Sequence, residues 1–150
     1  MTDVHSPEIR SKNMRAIRSM DSQPEKLVRR FLHSQGFRFR LHESGLPGKP
    51  DIVLAKHRAV IFVHGCFWHR HKCHLFKWPK ANPEFWRTKI TNNHRRDKKT
   101  VALLVQMGWR VLVIWECALK NRSTDDVEAA LDQVTHWIRK QDGTIFQIAA

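Results

Sequence analysis

Between residues 24 and 41 the apolar positions change from a helical spacing to an alternating one. After Pro24, four apolar residues recur at helical intervals: Leu27, Val28, Phe31 and Leu32. Asp21 or Ser22 can cap this helix, Pro24 lies in its first turn, and Gly36 ends it. Beyond Gly36, three apolar residues alternate with other residues, as in a half-buried strand: Phe37, Phe39 and Leu41. The pattern predicts a helix followed by a strand.

Two continuous apolar runs follow a Gly- and Pro-rich loop at residues 45–50. Residues 52–54 and 59–63 contain only Ile, Val, Leu, Ala and Phe, and a short turn at residues 55–58 separates them. Unbroken runs of this length are typical of strands that are buried on both faces. We predict two strands here, the second of them central in a sheet.

The second half of the chain is predicted to form a helix, a strand and a helix. The first helix runs from about Glu84 to Met107 before Gly108, with one side formed by Trp86, Ile90, Asp97, Val101 and Leu104. Residues 111–115 are a further buried strand, and Ser123 caps the last helix. The apolar face of that helix consists of Val127, Ala130, Leu131, Val134, Trp137 and Ile138.

The resulting order, α-β-β-β-α-β-α, predicts an α/β sandwich around a small mixed sheet. A strand–helix–strand crossover joins residues 59–63 to residues 111–115, so these two strands should be parallel. At 150 residues the chain is expected to form a single domain. Within it we distinguish a basic arm at 1–20, a core at 21–140 and a tail at 141–150.

The charge of the chain indicates an anionic partner. Lys and Arg number 27 against 14 Asp and Glu, which gives a formal net charge of +13. Nucleic acid is the first candidate and a membrane surface the second. No apolar stretch is long enough to span a bilayer, and the N-terminus lacks the hydrophobic region of a secretory signal. Three cysteines cannot pair evenly, so a reducing, cytoplasmic compartment is expected.

All three cysteines suit one metal site. Cys66 and Cys73 lie within eight residues, and Cys117 follows the later apolar run. Thiolate and imidazole ligands favour tetrahedral Zn²⁺, and four protein ligands would make the site structural. Spacing leaves the histidine ligand open among His64, His69, His71 and His74. The alternative is that the cysteines are small buried residues and the histidines lie on the surface.

A second group of polar residues is predicted at the strand ends. Asp51 and His64 could project from neighbouring strands into one cleft, where a carboxylate suits Mg²⁺ and Glu25 could add an outer-shell carboxylate. His69 could act as a general base that Asp97 orients. Plainer interpretations are Asp51 as a turn cap, His64 as a core histidine and Asp97 as a charge that balances its basic neighbours.

Four motifs carry a resemblance to a known family. They are Arg10-Ser11-Lys12-Asn13-Met14-Arg15-Ala16-Ile17, Leu46-Pro47-Gly48-Lys49-Pro50-Asp51, His64-Gly65-Cys66-Phe67-Trp68-His69, and Gly108-Trp109-Arg110-Val111-Leu112 with Trp115-Glu116-Cys117. Together they resemble the very-short-patch-repair (Vsr) mismatch endonucleases. The α-β-β-β-α-β order with Pro-Asp at the second strand is similar to the core of the restriction-endonuclease-like nucleases, and this is the fold that the resemblance implies.

The resemblance implies a strand-specific nuclease. Enzymes of this family nick the thymine-bearing strand just 5′ of T at a T·G mismatch, which is left when 5-methylcytosine deaminates. The expected partner is therefore duplex DNA with a T·G mismatch. A functional link to a cytosine-5 DNA methyltransferase and recruitment by a mismatch-repair protein are further expectations. Because nicking one strand needs one active site, a monomer is expected.

The matched positions assign roles to the polar residues. Mg²⁺ would bind Asp51, the backbone carbonyl of Val63 and, through water, Glu25. His69 would activate the attacking water with Asp97 behind it.

Two further sets are implied by the same match. His64 would assist at the phosphate, and the structural Zn²⁺ would be held by Cys66, His71, Cys73 and Cys117. The residues that would enter or approach the base stack are Phe67, Trp68, Trp86 and, from the minor-groove side, Met14. A mismatch is the least costly place to unstack a duplex, at roughly a few kcal/mol. Basic residues expected at phosphates include Lys12, Arg15, Arg95 and Lys98.

The chain departs from family patterns at two points. The third strand lacks the acid-x-Lys pair of most restriction-like nucleases, although the repair family also lacks it and relies on histidines. Residue 63 is Val where that family commonly has Thr, which keeps a backbone carbonyl and removes a hydroxyl. Two other functions stay open: a restriction-like endonuclease that acts on matched duplex DNA, and a non-catalytic zinc-stabilised DNA-binding module.

Overall fold

The computed structural model describes residues 22–140 and 143–150. The predicted arm, with Lys12, Met14 and Arg15, therefore lies outside the described residues. Within them the chain forms three α-helices and five strands. These are α1 (Gln23–Ser34), β1 (Arg40–Leu41), β2 (Ile52–Leu54), β3 (Ala59–His64), α2 (Pro83–Gln106), β4 (Arg110–Trp115), α3 (Thr124–Lys140) and β5 (Ile145–Ile148).

The first helix begins and ends where its sequence predicts. The hydroxyl of Ser22 accepts a hydrogen bond from the backbone N–H of Glu25 at 3.4 Å, as an N-cap does. Val28 and Leu32 are fully buried on the inner face. Gly36, with φ +85°, then turns the chain away from the helix.

The five strands form one mixed sheet in the order β1-β2-β3-β4-β5. β2 pairs antiparallel with both β1 and β3, whereas β3 and β4 are parallel. The predicted α/β class, mixed sheet and parallel crossover are confirmed. The first strand is shorter than predicted because the N–H of Phe37 still donates to the carbonyl of Leu32 at the end of α1.

The fifth strand was not predicted. Ile145–Ile148 lies in the segment treated as a tail, and it pairs parallel with β4, where Ile148 is opposite Ile114. Only Ile148 is buried, while Ile145 and Phe146 stay exposed at the sheet edge. A four-residue edge strand of this kind has too short an apolar pattern to distinguish it from a loop.

Helices cover both faces of the sheet. Ile61 and Leu112 lie on one face and pack with the inner sides of α1 and α3, including Leu32 and Val134. The neighbouring strand residues point the other way and pack with Leu104 of α2 in a second cluster: Val60, Phe62, Val111 and Val113. None of the helices among the described residues is long and apolar enough to cross a membrane.

Gly48 provides a test of how the loop before Asp51 is held. It has φ +73°, and a Cβ there would lie 2.3 Å from Cγ2 of Thr100 on α2. Gly36 also has a positive φ, but no atom lies within 4 Å of the place that a Cβ there would take. Gly36→Ala should cost about 1–2 kcal/mol of unfolding free energy from backbone strain. Gly48→Ala should cost a further ~1–3 kcal/mol from the clash.

Urea denaturation of the two variants measures both costs. Adding Thr100→Ala to Gly48→Ala removes the Cγ2 atom and should recover most of the difference. Equal costs for the two glycine variants, or no recovery, would show that the loop does not pack closely on α2.

Candidate active site

The parallel pairing of β3 and β4 brings the ends of both strands side by side. Val63 is opposite Ile114, and His64 is opposite Trp115, so the segments that follow the two strands meet. A cleft of about 720 Å³ opens next to the end of β3. It is lined by the six residues that the sequence analysis assigned to Mg²⁺ binding and catalysis: Glu25, Asp51, Val63, His64, His69 and Asp97.

Asp51 immediately precedes β2 and is half-buried. Its Oδ2 accepts a hydrogen bond from the N–H of Val63 at 2.7 Å. The loss of hydration and the nearby carboxylate of Glu25 raise the pKa of Asp51 to about 7, against the opposing effect of the Val63 N–H. The turn-cap interpretation does not describe this position, because the carboxyl group reaches across to a neighbouring strand.

Glu25 is a buried acid in the first turn of α1, only 3% exposed. Its Oε2 lies 3.2 Å from Nη1 of Arg29 and 2.8 Å from Nε2 of His42. Two carboxyl groups, from Glu25 and Asp51, thus share one desolvated corner of the cleft. Such a pair is strained electrostatically unless a proton or a cation lies between its members.

His64 and His69 stack face to face. Their ring centroids are 3.8 Å apart with an interplanar angle of 4°. Burial, and then the neighbouring His69, lower the pKa of His64 well below its usual value, so its ring stays neutral at physiological pH. Nδ1 of His64 is buried and lacks a hydrogen-bond partner within residues 22–140 and 143–150. Such orphaned atoms are uncommon in protein interiors.

Helix α2 orients the loop after β3 that carries Trp68 and His69. Oδ2 of Asp97 lies 2.5 Å from Nδ1 of His69, which leaves the Nε2 atom of that ring outside this contact. Nδ2 of Asn93, one turn earlier, donates to the carbonyl of Trp68 at 3.1 Å. Nδ1 of His94 lies 3.3 Å from the carbonyl of His69. Asp97 is therefore engaged with a specific imidazole and not simply surrounded by its basic neighbours.

The three predicted wedge residues form one aromatic cluster. The ring centroid of Phe67 is 5.0 Å from that of Trp68 and 5.6 Å from that of Trp86, and the two indoles are 5.7 Å apart. All three side chains are half-buried and line the same cleft as the polar residues. The structure thus brings together residues from the loop after β3 and from the first turn of α2.

A cationic aromatic patch lies beyond this cluster. Phe76 packs near Phe67, with 6.3 Å between centroids, and Trp78 packs edge-on against Phe76 at 5.0 Å. The guanidinium groups of Arg70 and Arg87 lie 6.0 and 5.2 Å from the Trp78 ring centroid.

The predicted zinc ligands also converge. One ligand atom from each of four residues lies within 4.8 Å of the other three: Cys66, His71, Cys73 and Cys117. Nδ1 of His71 is 3.6 Å from Sγ of Cys117, and its ring stacks on Trp115 at 4.1 Å. Of the four histidines left open by spacing, His71 is the one that the described structure places with the thiols.

Comparison with known proteins agrees with the motifs. The family model described as DNA mismatch endonuclease Vsr matches residues 2–75. The DNA mismatch endonuclease Vsr of Escherichia coli K12 is 48% identical over 92% of this chain and 88% of its own length. The chain belongs to the Vsr family of DNA mismatch endonucleases.

Other Vsr relatives carry the name of nicking enzymes. The type II nicking enzyme V.XorIIP of Xanthomonas oryzae is 50% identical over 81% of this chain and 89% of its own length. The type II nicking enzyme V.NmeAIP of Neisseria meningitidis is 48% identical over 82% of the chain and 88% of its own length.

The four-residue Cys/His cluster of this Vsr chain fits Zn²⁺. Tetrahedral coordination with bonds of ~2.3 Å places sulfur ligands roughly 3.8 Å apart, within the spread of the observed ligand atoms. Burial raises the pKa of the Cys66 thiol, so that in the absence of a metal the thiol keeps its proton. Soft thiolates with one imidazole suit Zn²⁺ better than Mg²⁺.

Sequence reasoning missed several residues that line the cleft, and one, His42, that lies beside its carboxylate pair. Asn93 precedes Asp97 by four residues, so helical spacing could have placed it on the same face. His42 comes next to Glu25 and Asp51 only through the pairing of β1 with β2, for which the local sequence carries no signal. Lys49 and Arg96 add positive charge to the wall of the cleft.

The raised pKa of Asp51 predicts a pH-dependent cost to stability. The unfolded carboxyl ionises near pH 3.8, whereas the folded one holds its proton until about pH 7. Folding therefore becomes less favourable as the pH rises between these values. Asp51→Asn removes this cost. Without added Mg²⁺, its unfolding free energy relative to wild type should rise by on the order of a few kcal/mol from pH 4 to pH 7.5.

Urea denaturation at several pH values measures this difference. Asp132→Asn, on the exposed side of α3, should leave the pH profile unchanged. A difference between wild type and Asp51→Asn that stays flat with pH would contradict a desolvated carboxyl at residue 51.

Proposed function

We propose that this chain is a Mg²⁺-dependent, strand-specific DNA endonuclease that nicks just 5′ of the T in a T·G mismatch. The mismatch would arise by deamination of 5-methylcytosine, and the nick would initiate very short patch repair. One observation carries the proposal: a single cleft in a Vsr-family chain contains a carboxylate pair, an Asp-oriented histidine and three clustered aromatic residues.

The carboxylate corner supports a metal-assisted reaction. Asp51, the carbonyl of Val63 and, through water, Glu25 would hold Mg²⁺, which would stabilise charge on the attacked phosphate. The N–H of Val63 already binds Asp51 and orients its carboxylate. Loss of the Thr hydroxyl at residue 63 leaves this backbone contact intact.

The histidine pair supports proton transfer. His69 would accept a proton from the attacking water at Nε2, while Asp97 holds Nδ1 and stabilises the positive charge that results. His64, kept neutral by burial, would contact the phosphate as a hydrogen-bond donor. Close stacking of the two rings would disfavour a positive charge on both of them at once, because adjacent imidazolium ions repel each other.

The aromatic cluster supports recognition of a weakened base pair. Phe67, Trp68 and Trp86 already pack on one another, so inserting them into DNA requires little ordering of the protein. A T·G pair costs less to unstack than a matched pair, which would favour entry at the mismatch. The Zn²⁺ cluster would fix the loop that carries Phe67 and Trp68, since Cys66 immediately precedes them.

Positive surface supports binding of the DNA backbone. Arg95 and Lys98 are exposed on α2 next to Asp97. Arg70 and Arg87 rest over Trp78 and form no salt bridge within the part of the chain that the structure describes. Lys12, Arg15 and Met14 on the arm would add further contacts. Such phosphate contacts set the register of the protein and do not read sequence.

The alternatives explain less of the cleft. A zinc-stabilised binding module would not require Asp97 to orient His69, or Glu25 and Asp51 to share one corner of the cleft. A restriction-like enzyme for matched DNA would require no preformed aromatic wedge. We also propose a cytoplasmic monomer that functions alongside a cytosine-5 DNA methyltransferase, with a mismatch-repair protein as a further partner. The names of its nicking-enzyme relatives agree with cleavage of one strand.

The proposal is tested by cleavage of two duplexes that differ at one base pair. With Mg²⁺, the T·G duplex should be nicked just 5′ of T, whereas the C·G duplex should be cut at least about 100-fold more slowly. Asp51→Ala should abolish the nick and keep binding, because it removes the metal ligand and leaves the aromatic cluster. Asp132→Ala on α3 serves as the matched control and should cleave like wild type.

Two outcomes would contradict this function. Equal cleavage of both duplexes would favour the restriction-like alternative. Tight binding of T·G DNA by wild type without any nick would leave a mismatch-binding protein.

The zinc ligand set is tested by comparing two nearby histidines. Wild type should copurify with one equivalent of Zn²⁺ that metal analysis detects. His71→Ala should reduce zinc content and lower the melting temperature by roughly 5 °C or more, because a structural site contributes directly to folding. His74→Ala changes an exposed histidine three residues away and should change neither quantity. If the two substitutions changed zinc content and melting temperature equally, the assignment of His71 as the zinc ligand would be contradicted.

A further inference from the structure

His42 lies next to the carboxylate pair and is one of six non-glycine residues with positive φ in the described part of the chain. It follows β1 with φ +51°, a left-handed conformation that residues with a side chain rarely adopt. Its backbone N–H donates to the carbonyl of Asp51 at 3.1 Å, which fixes it opposite that residue. Conformations of this kind cost about 1–3 kcal/mol and cluster at functional sites.

The imidazole of His42 projects into the same corner as the two acids. Nε2 lies 2.8 Å from Oε2 of Glu25, and one ligand atom from each of His42, Glu25 and Asp51 lies within 4.8 Å of the other two. In an octahedral site with bonds of ~2.1 Å, adjacent ligand atoms are roughly 3.0 Å apart and opposite ones roughly 4.2 Å. The 2.8 Å between Nε2 of His42 and Oε2 of Glu25 is close to the distance between adjacent ligand atoms, and the 4.8 Å within which all three atoms lie is slightly more than the octahedral span. His42 is therefore close enough to reach a cation at this pair, whether Glu25 binds that cation directly or through water.

We propose that His42 is a direct nitrogen ligand of the divalent cation at the Glu25–Asp51 pair. The site would then be a mixed nitrogen–oxygen site that prefers a first-row transition metal to Mg²⁺. The inference rests on the part of the proposed function in which Asp51 binds the cation. It adds a ligand and a metal preference that the carboxylates alone would not supply.

The chemistry of the three donors explains the preference. Mg²⁺ is a hard ion that keeps oxygen ligands and several waters, so an imidazole adds little to its binding. First-row transition-metal ions accept an imidazole nitrogen more readily than Mg²⁺ does, and Mn²⁺ gains the least of that series, so it gives the most stringent test. With Arg29 beside Glu25, two ionised carboxylates and a neutral imidazole leave one net negative charge at this corner, which a bound cation would offset.

The same 2.8 Å contact has a simpler interpretation. His42 could act only as a hydrogen-bond partner that positions Glu25, without touching a metal. A positioning residue would affect all cations to a similar extent and would show no nitrogen bonded to the ion. A ligand would affect nitrogen-preferring ions more than Mg²⁺ and would be visible in the magnetic spectrum of a bound paramagnetic ion. The two roles therefore differ in measurable ways.

Mn²⁺ binding to the zinc-loaded full chain without DNA distinguishes the two roles. Free Mn²⁺ is quantified by electron paramagnetic resonance, and Mg²⁺ binding is measured by competition. The test variant is His42→Asn, because Asn tolerates a left-handed backbone. His42→Gly, which relieves the strain completely, is the second variant. His136→Asn, an exposed histidine on α3, is the control.

Wild type and His136→Asn should bind Mn²⁺ more tightly than Mg²⁺ and show ¹⁴N coupling to the bound Mn²⁺ in pulsed spectra. Both His42 variants should lose that coupling and bind Mn²⁺ at least about tenfold more weakly, with a smaller loss of affinity for Mg²⁺. Absence of the coupling in wild type, its persistence in the His42 variants, or an equal loss for both ions would overturn the proposal.

Asp51→Ala separates this inference from the proposed function. It should abolish binding of both ions at this site. If Mn²⁺ binds through His42 and yet T·G DNA is not nicked, the nuclease proposal fails while the ligand assignment stands. If T·G DNA is nicked but no nitrogen is bound to Mn²⁺, the ligand assignment fails alone.

Discussion

Parallel pairing of β3 with β4 is the constraint on which both candidate sites depend. Because His64 is opposite Trp115, the chain leaves the two strands at the same level. Cys66 and Cys117 each follow two residues later and meet in the metal cluster. A slip of one residue would reverse the face of every side chain on one strand and separate the two thiols. The same register places the loop that carries His69 next to the cleft, so both sites depend on the correct pairing of these two strands.

Buried charge is the second determinant of the cleft. Asp51 and Glu25 lie together in a desolvated corner, and the pKa of Asp51 rises to about 7 as a result. In the folded protein alone this arrangement opposes stability, because ionised acids lose hydration and repel each other. It becomes favourable when a cation binds. The cleft is thus organised for a bound state, which is typical of sites that store local strain for function.

The elements that could be predicted from the sequence are those that depend on residues close together along the chain. The helices and the buried strands could be predicted because their apolar periods are local and long. The thiol ligands could be recognised because the chain has only three cysteines. Spacing alone could not choose among the nearby histidines. His71 was assigned from the resemblance, and it lies 3.6 Å from the Cys117 sulfur. β5 and the position of His42 depend on pairing between distant segments, so no local pattern reveals them. The arm at residues 1–20 stays a prediction.

Helix α2 carries, on one side, residues proposed for base-pair recognition and for orienting the catalytic histidine. Trp86, Asn93 and Asp97 all line the cleft, spaced by seven and four residues, or roughly 10 and 6 Å along the axis. A helix of 24 residues is stiff, so a push on one turn is transmitted to the others. A fully stacked base pair that displaced Trp86 would therefore also shift the carboxylate behind His69. Matched DNA would then lower the rate of cleavage as well as the affinity of binding, because α2 couples the position of Trp86 to that of Asp97.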